Sequence, residues 1–148
     1  MSNDNTDFEK AIRMIQEKID AEEEKDFSKE VIREYRNPQN VGRMKNPDGF
    51  GTITGSCGDT MEIYLRIENR RIKEITFMTD GCGPSIACGS MTTRLVKEKT
   101  VEEALKITNQ DILNALNGLP EENKHCSKMA ADTLHKAIRY YLDGAAIK

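Results

Sequence analysis

The spacing of apolar residues changes once along this chain, and that change constrains the fold more than any other feature. In residues 61–67 apolar side chains alternate with polar or aromatic ones, which predicts a β-strand with one buried face. Asn69 and Arg70 then predict a tight turn into a strand that ends near Thr79, and residues 50–56 supply an earlier strand. The predicted sheet is a three-stranded antiparallel meander.

Helical patterns flank this sheet. Apolar residues at helical spacing predict an amphipathic helix over residues 7–24, with Thr6 and Glu9 as its capping box. The acidic run 20–26 is then either the solvated end of that helix or a short linker. A second helix is predicted to start at Ser28. Further helices are predicted over residues 84–97, 101–106, 109–117 and 125–142, so the fold class is α+β, a small sheet packed by helices.

Length and charge limit the classes of protein to which this chain can belong. The 148 residues fit one domain with room for an appendage. Without an apolar run of membrane-spanning length or a signal-like N-terminus, the predicted location is the cytoplasm, where thiols stay reduced, with no membrane partner. Residues 1–26 carry nine acidic and four basic side chains, and residues 27–148 carry 16 acidic and 18 basic. This weak, scattered charge predicts no nucleic-acid partner and divides the chain into an acidic helical extension and a domain.

Two cysteines lie in glycine-rich turns that favour metal or sulfur chemistry. Cys57 and Asp59 flank Gly58 between two strands. In extended chain, residues two apart point the same way, so the thiol and the carboxylate can converge on one ion. Cys82 lies between two glycines and precedes a predicted helix, whose unpaired amides and dipole stabilise a thiolate. The alternatives are a glycine-rich hairpin with a buried cysteine and, at Cys82, a simple tight turn.

The remaining two cysteines differ in setting. Cys126 follows His125 and opens the last predicted helix, with Asn123 as its cap. The same amides act on its sulfur, and the imidazole can bind metal or move a proton, although a histidine there can also be a cap or a surface residue. Cys88 has apolar neighbours and lies on another helix face from Cys82, so we predict that it packs in the core and is not a ligand.

The three cysteines in polar settings, with Asp59 and His125, can surround one metal centre. Soft thiolates suit zinc, ferrous iron and iron–sulfur clusters. A closed all-cysteine site is structural, whereas a set that includes a carboxylate or an imidazole holds its cargo less tightly, as a carrier requires. A closed zinc site in an interaction module is a rival interpretation. A thiol oxidoreductase is the least favoured, because the sequence has no Cys-x-x-Cys pair.

Over residues 27–142 the chain resembles the IscU/NifU-N family of iron–sulfur cluster assembly scaffolds. The motifs that carry the resemblance are NPQNVG at 37–42, CGD at 57–59, GCGPSIA at 81–87, GLP at 118–120 and HCS at 125–127. The resemblance implies the IscU/SufE-like form of the α+β fold and a scaffold that carries sulfur and clusters rather than an enzyme. The zinc-dependent SufU relatives fit less well, because they carry a longer insertion before the last cysteine and lack the histidine.

The resemblance also implies a division of roles. A cysteine desulfurase would deliver persulfide sulfur onto Cys126, and Fe²⁺ would enter among Cys57, Asp59, Cys82 and His125. A [2Fe–2S] cluster would form on the three cysteines plus Asp59 or His125, with Zn²⁺ as a substitute metal. After reduction by a ferredoxin-type donor, it would pass to apo iron–sulfur acceptor proteins. The alternative is a SufU-like zinc-binding sulfur acceptor that stimulates a desulfurase without carrying a cluster.

Four features depart from the family pattern. The extension 1–26 has no counterpart in the minimal scaffold and can pack on the core, mediate self-association as in a homodimer, or meet a partner. Phe27 stands where the family usually has a tyrosine linked to dimerisation and persulfide reduction. Residues 119–123 replace the Leu-Pro-Pro-Val-Lys chaperone-docking stretch of the family, which leaves open whether an Hsp70-type chaperone is a partner. Cys88 stands where serine is usual.

Overall fold

Two layers make up the fold, a three-stranded sheet and the helices that cover one of its faces. The structure is a computed structural model that describes residues 3–147; the predicted division of the chain also includes residues 1, 2 and 148, which lie outside the described residues. In chain order the elements are α1 (Asn3–Asp26), α2 (Lys29–Arg36), β1 (Gly49–Thr54), β2 (Thr60–Glu68), β3 (Arg71–Thr79), α3 (Gly83–Val96), α4 (Val101–Leu105), α5 (Asn109–Ala115), a 3-10 turn (Glu121–Asn123) and α6 (His125–Ile147).

The sheet is the predicted antiparallel meander, in the order β1-β2-β3. Strand β2 pairs on both sides, with Met61 opposite Ile53 of β1 and opposite Thr79 of β3. Asn69 and Arg70 form the turn between β2 and β3 with φ of 52° and 60°. The residues that alternate in β2, from Met61 to Ile67, are buried beneath the helices. The α+β class and the period-two strand are therefore confirmed.

Helix α6 lies against strand β1 because that strand carries glycines where the helix passes. A Cβ at Gly49 would lie 2.6 Å from the carbonyl oxygen of Ala137, and one at Gly51 would lie 2.6 Å from that of Thr133. The backbone of the helix thus contacts the backbone of the strand, and any side chain at Gly51 would push the two apart. This contact sets the distance between α6 and the sheet, and with it the position of the N-terminus of α6.

A buried carboxylate fixes α2 on α3. Helix α2, predicted to start at Ser28, begins at Lys29 with Ser28 as its N-cap, and the Ser28 hydroxyl accepts a hydrogen bond from the amide of Val31 at 3.1 Å. Glu34, on the same helix, is fully buried and accepts hydrogen bonds from Ser90 Oγ at 2.7 Å and from Arg94 Nε at 2.8 Å. Because a buried charge needs partners of this kind, the two helices are held in one register.

Helix α1 is longer than predicted at both ends. It begins at Asn3, so the predicted capping box at Thr6 and Glu9 lies inside the helix and is wrong; no glycine or proline interrupts the residues before Thr6. The acidic run is the helix end rather than a linker, since α1 continues to Asp26. The large apolar side chains described along α1 are exposed, which argues against packing on the core among the three roles considered for the extension; they are Phe8 (66%), Ile12 (50%), Met14 (64%), Ile15 (59%) and Ile19 (44%).

The C-terminal half contains one element that the sequence did not predict. The chain forms a 3-10 turn over Glu121–Asn123 before α6 begins at His125. Asn123 therefore lies in that turn and is not the cap of α6, which corrects the prediction. Helix α6 also continues past the predicted end at residue 142, to Ile147. Across residues 3–147, no helix combines the length and apolar character needed to cross a membrane.

Candidate metal centre

Three chain segments meet at one end of the sheet, and the first is the hairpin loop between β1 and β2. The amide of Gly55 donates to the carbonyl of Asp59 at 2.8 Å, and the amide of Gly58 donates to the carbonyl of Gly55 at 3.0 Å. Gly58 has a φ of 91°, which favours glycine. The chain turns here, so the argument that Cys57 and Asp59 share one side of an extended strand is wrong. Cys57 is exposed at the tip of this loop.

The second segment is the start of α3. Cys82 is the N-cap residue, with extended backbone and a side chain that makes no capping hydrogen bond. Its thiol is exposed beside the first amides of the helix. The ring of Tyr35 from α2 covers the next residue, since a Cβ at Gly83 would lie 3.4 Å from Tyr35 Cγ. The prediction that Cys82 immediately precedes a helix is confirmed.

The third segment is the start of α6, and here the structure corrects the sequence argument. Cys126 is only 1% exposed, and its sulfur lies 3.4 Å from Ser85 Oγ and 3.7 Å from His125 Nε2. Burial raises the pKa of the Cys126 thiol above its ordinary value, which outweighs the lowering by the Ser85 hydrogen bond. The expectation that amides at the helix start would lower this pKa is wrong, because the sulfur is withdrawn from water.

Close contacts join the three segments. A Cβ at Gly81, just before α3, would lie 2.6 Å from Ser85 Oγ and 3.0 Å from Asp59 Oδ2. A Cβ at Gly55 would lie 3.2 Å from Met129 Sδ of α6 and 3.8 Å from Cys57 Sγ. The hairpin loop therefore approaches the start of α3 through the Asp59 carboxylate and approaches α6 at Gly55. Side chains larger than hydrogen at these two glycines would fill the space between them.

These contacts bring the three segments together, but they do not show that the side chains bind one metal ion. Within the part of the chain that the structure describes, no group of three histidine, cysteine, aspartate or glutamate side chains is arranged to hold a metal ion. Cys57, Cys82 and His125 are exposed, Asp59 is half-buried and Cys126 is buried, so the candidate ligands differ in how far they must move to meet one ion. The assignment of these residues to a metal stays a prediction.

Cys88 lies apart from these groups. It is fully buried in α3, within the cluster of apolar side chains that forms the core. Burial raises the pKa of its thiol well above the ordinary value. The prediction that Cys88 packs as a small hydrophobic residue is confirmed.

Two side chains that line the site, Ser85 and Met129, do not follow from the sequence argument. Ser85 enters that argument only as part of the motif at 81–87, and Met129 does not enter it. One signal was available for Ser85: in α3 Arg94 is the only charged residue, which is typical of a helix buried on most sides. That signal predicts a buried hydroxyl but not its partner on α6.

The segment that replaces the chaperone-docking stretch forms the edge of this region. Leu119 is buried, Pro120 is half-buried and the following residues form the 3-10 turn. The ammonium of Lys124 lies 2.6 Å from the carboxylate of Glu121, which is exposed. This charge pairs within its own segment rather than with the cysteines.

Known proteins resemble this chain in sequence and in fold. The family model described as NifU-like N terminal domain matches residues 26–146. A protein of Archaeoglobus fulgidus named iron–sulfur cluster assembly scaffold protein IscU 1 is 47% identical over 116 residues, which cover 78% of this chain and 76% of the relative. A scaffold protein IscU of Aquifex aeolicus is 38% identical over 120 residues, covering 79% and 76%. The crystal structure of a NifU-like protein (N-terminal) from Brucella abortus has a TM-score of 0.63 at 20% identity, covers 78% of this chain and 94% of that one, and agrees in fold.

Proposed function

The chain belongs to the family of NifU-like N-terminal domains, and we propose that it is a scaffold on which iron–sulfur clusters are assembled before transfer to other proteins. The names of the relatives from Archaeoglobus and Aquifex support this role. The observation that supports it is that the segments carrying Cys57, Cys82 and Cys126 come together at one end of the sheet, with the first two thiols exposed and the third buried. Asp59 and His125 add an oxygen and a nitrogen at the same place.

The difference in exposure supports a division of labour among the thiols. Fe²⁺ arriving from solution reaches Cys57 and Cys82 first, because both are exposed. Cys126 accepts sulfur from a cysteine desulfurase. Its thiolate attacks the terminal sulfur of the donor's persulfide, the S–S bond of the donor breaks, and the donor leaves as a thiolate. The cargo of Cys126 is then one persulfide sulfur.

The cargo becomes a [2Fe–2S] cluster when iron and sulfur meet at the three thiols. Persulfide sulfur must be reduced to sulfide, and a ferredoxin-type donor together with the ferrous ions supplies the electrons. Asp59 or His125 completes the ligand set; both are weaker ligands for iron in a cluster than a thiolate, which favours release to an apo-protein. On this proposal the protein is a carrier rather than an enzyme, and it acts in the cytoplasm.

Anaerobic reconstitution tests the proposal. The purified protein is incubated with a cysteine desulfurase, cysteine and Fe²⁺, and its visible spectrum is recorded. We expect sulfur-to-iron charge-transfer bands in the wild type and in the control Cys88→Ala, which removes a core thiol, and their loss in Cys57→Ser. Absence of the bands in the wild type, with zinc as the only bound metal, would refute the scaffold and favour the zinc-binding sulfur acceptor.

The role of Asp59 is tested through cluster release. Asp59→Ala should leave a more persistent cluster and slow its transfer to an apo-ferredoxin, because on this proposal the carboxylate is the weak ligand that makes the cluster labile. Asp132→Ala is the matched control, since that carboxylate pairs with Lys128 at 2.9 Å on the surface of α6. Equal transfer rates in Asp59→Ala and the wild type would contradict a role of the carboxylate in lability.

A further inference from the structure

The sulfur of Cys126 is buried, and it lies beside the buried hydroxyl of Ser85. We propose that Ser85 is a positioning residue that keeps the Cys126 side chain in a closed, inward position, and that sulfur transfer requires this hydrogen bond to open. The inference rests on the proposed function for its purpose, since it concerns the sulfur acceptor. It can be tested without forming a cluster.

The contacts around Cys126 define two sides. On the inner side lies Ser85, which is fully buried, with its Oγ 3.4 Å from the sulfur. On the outer side lies His125, which is exposed, with its Nε2 3.7 Å from the sulfur. The sulfur thus lies between a hydroxyl in the core and an imidazole at the surface. Rotation of the side chain toward the imidazole breaks the inner contact and brings the thiol to solvent.

The closed position is incompatible with sulfur transfer between proteins. Cys126 is 1% exposed, whereas Cys57 and Cys82 are exposed to solvent. A persulfide on another protein must approach the accepting sulfur directly, so an encounter with the closed form reaches only the two exposed thiols. The fraction of molecules with the sulfur outward therefore limits acceptance at Cys126.

Ser85 itself has little freedom to move. It lies in the first turn of α3, and Gly81 lies directly against it, so that even a Cβ there would be 2.6 Å from the hydroxyl oxygen. A buried hydroxyl without a partner is unfavourable, so the contact with Cys126 stabilises both groups in the closed form. Ser85 therefore restrains the sulfur, while His125 on the outside leaves it room to emerge.

Alkylation measures this restraint. The full-length protein is treated with a bulky aromatic maleimide at one pH, and the rates at Cys126 and at Cys57 are read by peptide mass spectrometry. The ratio of the Cys126 rate to the Cys57 rate reports access to the buried sulfur; the Ser85 hydrogen bond lowers the pKa of the Cys126 thiol, so its loss alone would lower this ratio rather than raise it. Cys57, measured in the same samples, is the internal reference.

Three variants decide the outcome. Ser85→Ala removes the hydroxyl, and Gly81→Ala displaces it, because the new Cβ would lie 2.6 Å from its oxygen; each should raise the ratio at Cys126 about fivefold, as expected for the loss of about 1 kcal/mol from one hydrogen bond. Thr92→Ala is the matched control, because it removes a buried hydroxyl from the same helix that donates to the carbonyl of Cys88 at 2.7 Å. Its ratio should equal that of the wild type.

The result that overturns the inference is equally definite. An unchanged or lower ratio in both Ser85→Ala and Gly81→Ala would refute the restraint, whatever the reconstitution experiment gives. A rise that also appears in Thr92→Ala, or an increase in the absolute rate at Cys57, would mean general loosening of the fold and would likewise refute it. A raised ratio at Cys126 alone supports the restraint, even if no cluster is ever formed on the protein.

Discussion

Removal of the Glu34 carboxylate should destabilise the whole domain, because it is the buried anchor between α2 and α3. Its side chain is fully buried and accepts hydrogen bonds from Ser90 and Arg94, and it lies 3.2 Å from Arg33 Nε. In Glu34→Ala these contacts vanish together. The Ser90 hydroxyl, which accepts from the amide of Gln39 at 2.8 Å, then loses its own acceptor inside the protein.

The expected loss can be worked out from these contacts. Hydrogen bonds to a charged group contribute roughly 1.5–3 kcal/mol each, and a stranded buried hydroxyl costs about 1–3 kcal/mol. Against this, the desolvation of a buried carboxylate disappears, and Arg94, with 44% of its side chain exposed, is free to hydrate. We expect a net loss of about 3 kcal/mol in the free energy of unfolding. For a domain of this size that lowers Tm by roughly 6–12 °C.

Urea unfolding followed by circular dichroism measures this loss. Glu34→Gln keeps the shape and one acceptor and should lose about half as much. Glu102→Ala is the control, since that carboxylate pairs with Arg70 at the surface, where both side chains are more than half exposed; its midpoint should stay at the wild-type value. A loss below about 1 kcal/mol in Glu34→Ala would refute the assignment of Glu34 as the anchor of α2.

Three further predictions follow from burial. Burial raises the pKa of the Cys88 thiol in the folded state, so above about pH 8 the unfolded chain releases this proton while the folded chain keeps it. The contribution of Cys88 to the free energy of unfolding should therefore be constant up to about pH 8 and fall at higher pH. Urea midpoints between about pH 7 and 10 should fall less in Cys88→Ala than in the wild type. Gly89→Ala should cost about 1–3 kcal/mol in the same assay, since its Cβ would lie 2.4 Å from the ring of Phe77, whereas Gly144→Ala, facing open space, should stabilise by about 0.5–1 kcal/mol. Timed alkylation of the wild type at pH 8 should modify the two exposed cysteines first, Cys126 later, and the core cysteine only in urea.

Most of the fold follows from local patterns in the sequence. The alternation in residues 61–67 and the turn at Asn69 determine the sheet, and the cap at Ser28 determines where α2 begins. The errors lie at boundaries that local rules leave open. Thr6 has the right neighbours for a cap, yet nothing upstream stops the helix, and Asn123 is displaced from its predicted role by a 3-10 turn.

The sequence indicates candidate residues for the site, whose assignment stays a prediction, but it does not indicate their geometry. The sequence indicates that Cys82 and Cys126 lie at helix starts, and both do. Whether a thiol at a helix start is in water depends on what packs against it, which is a tertiary property. Ser85 covers Cys126, whereas the thiol of Cys82 is exposed, so the same local motif yields one buried and one exposed sulfur. The turn at Gly58 likewise replaced an extended geometry that alternation alone suggested.

The direct contact of α6 with the glycines of β1 limits the timescale on which Cys126 can change position. With the carbonyls of Ala137 and Thr133 against Gly49 and Gly51, the helix cannot slide along the sheet to deliver the sulfur. The thiol must instead emerge by bond rotation within the first turn, and side-chain rotation of this kind takes far less than a millisecond. We expect flat NMR relaxation-dispersion profiles at Cys126, so that the population of the outward position, rather than the speed of opening, limits the rate of loading.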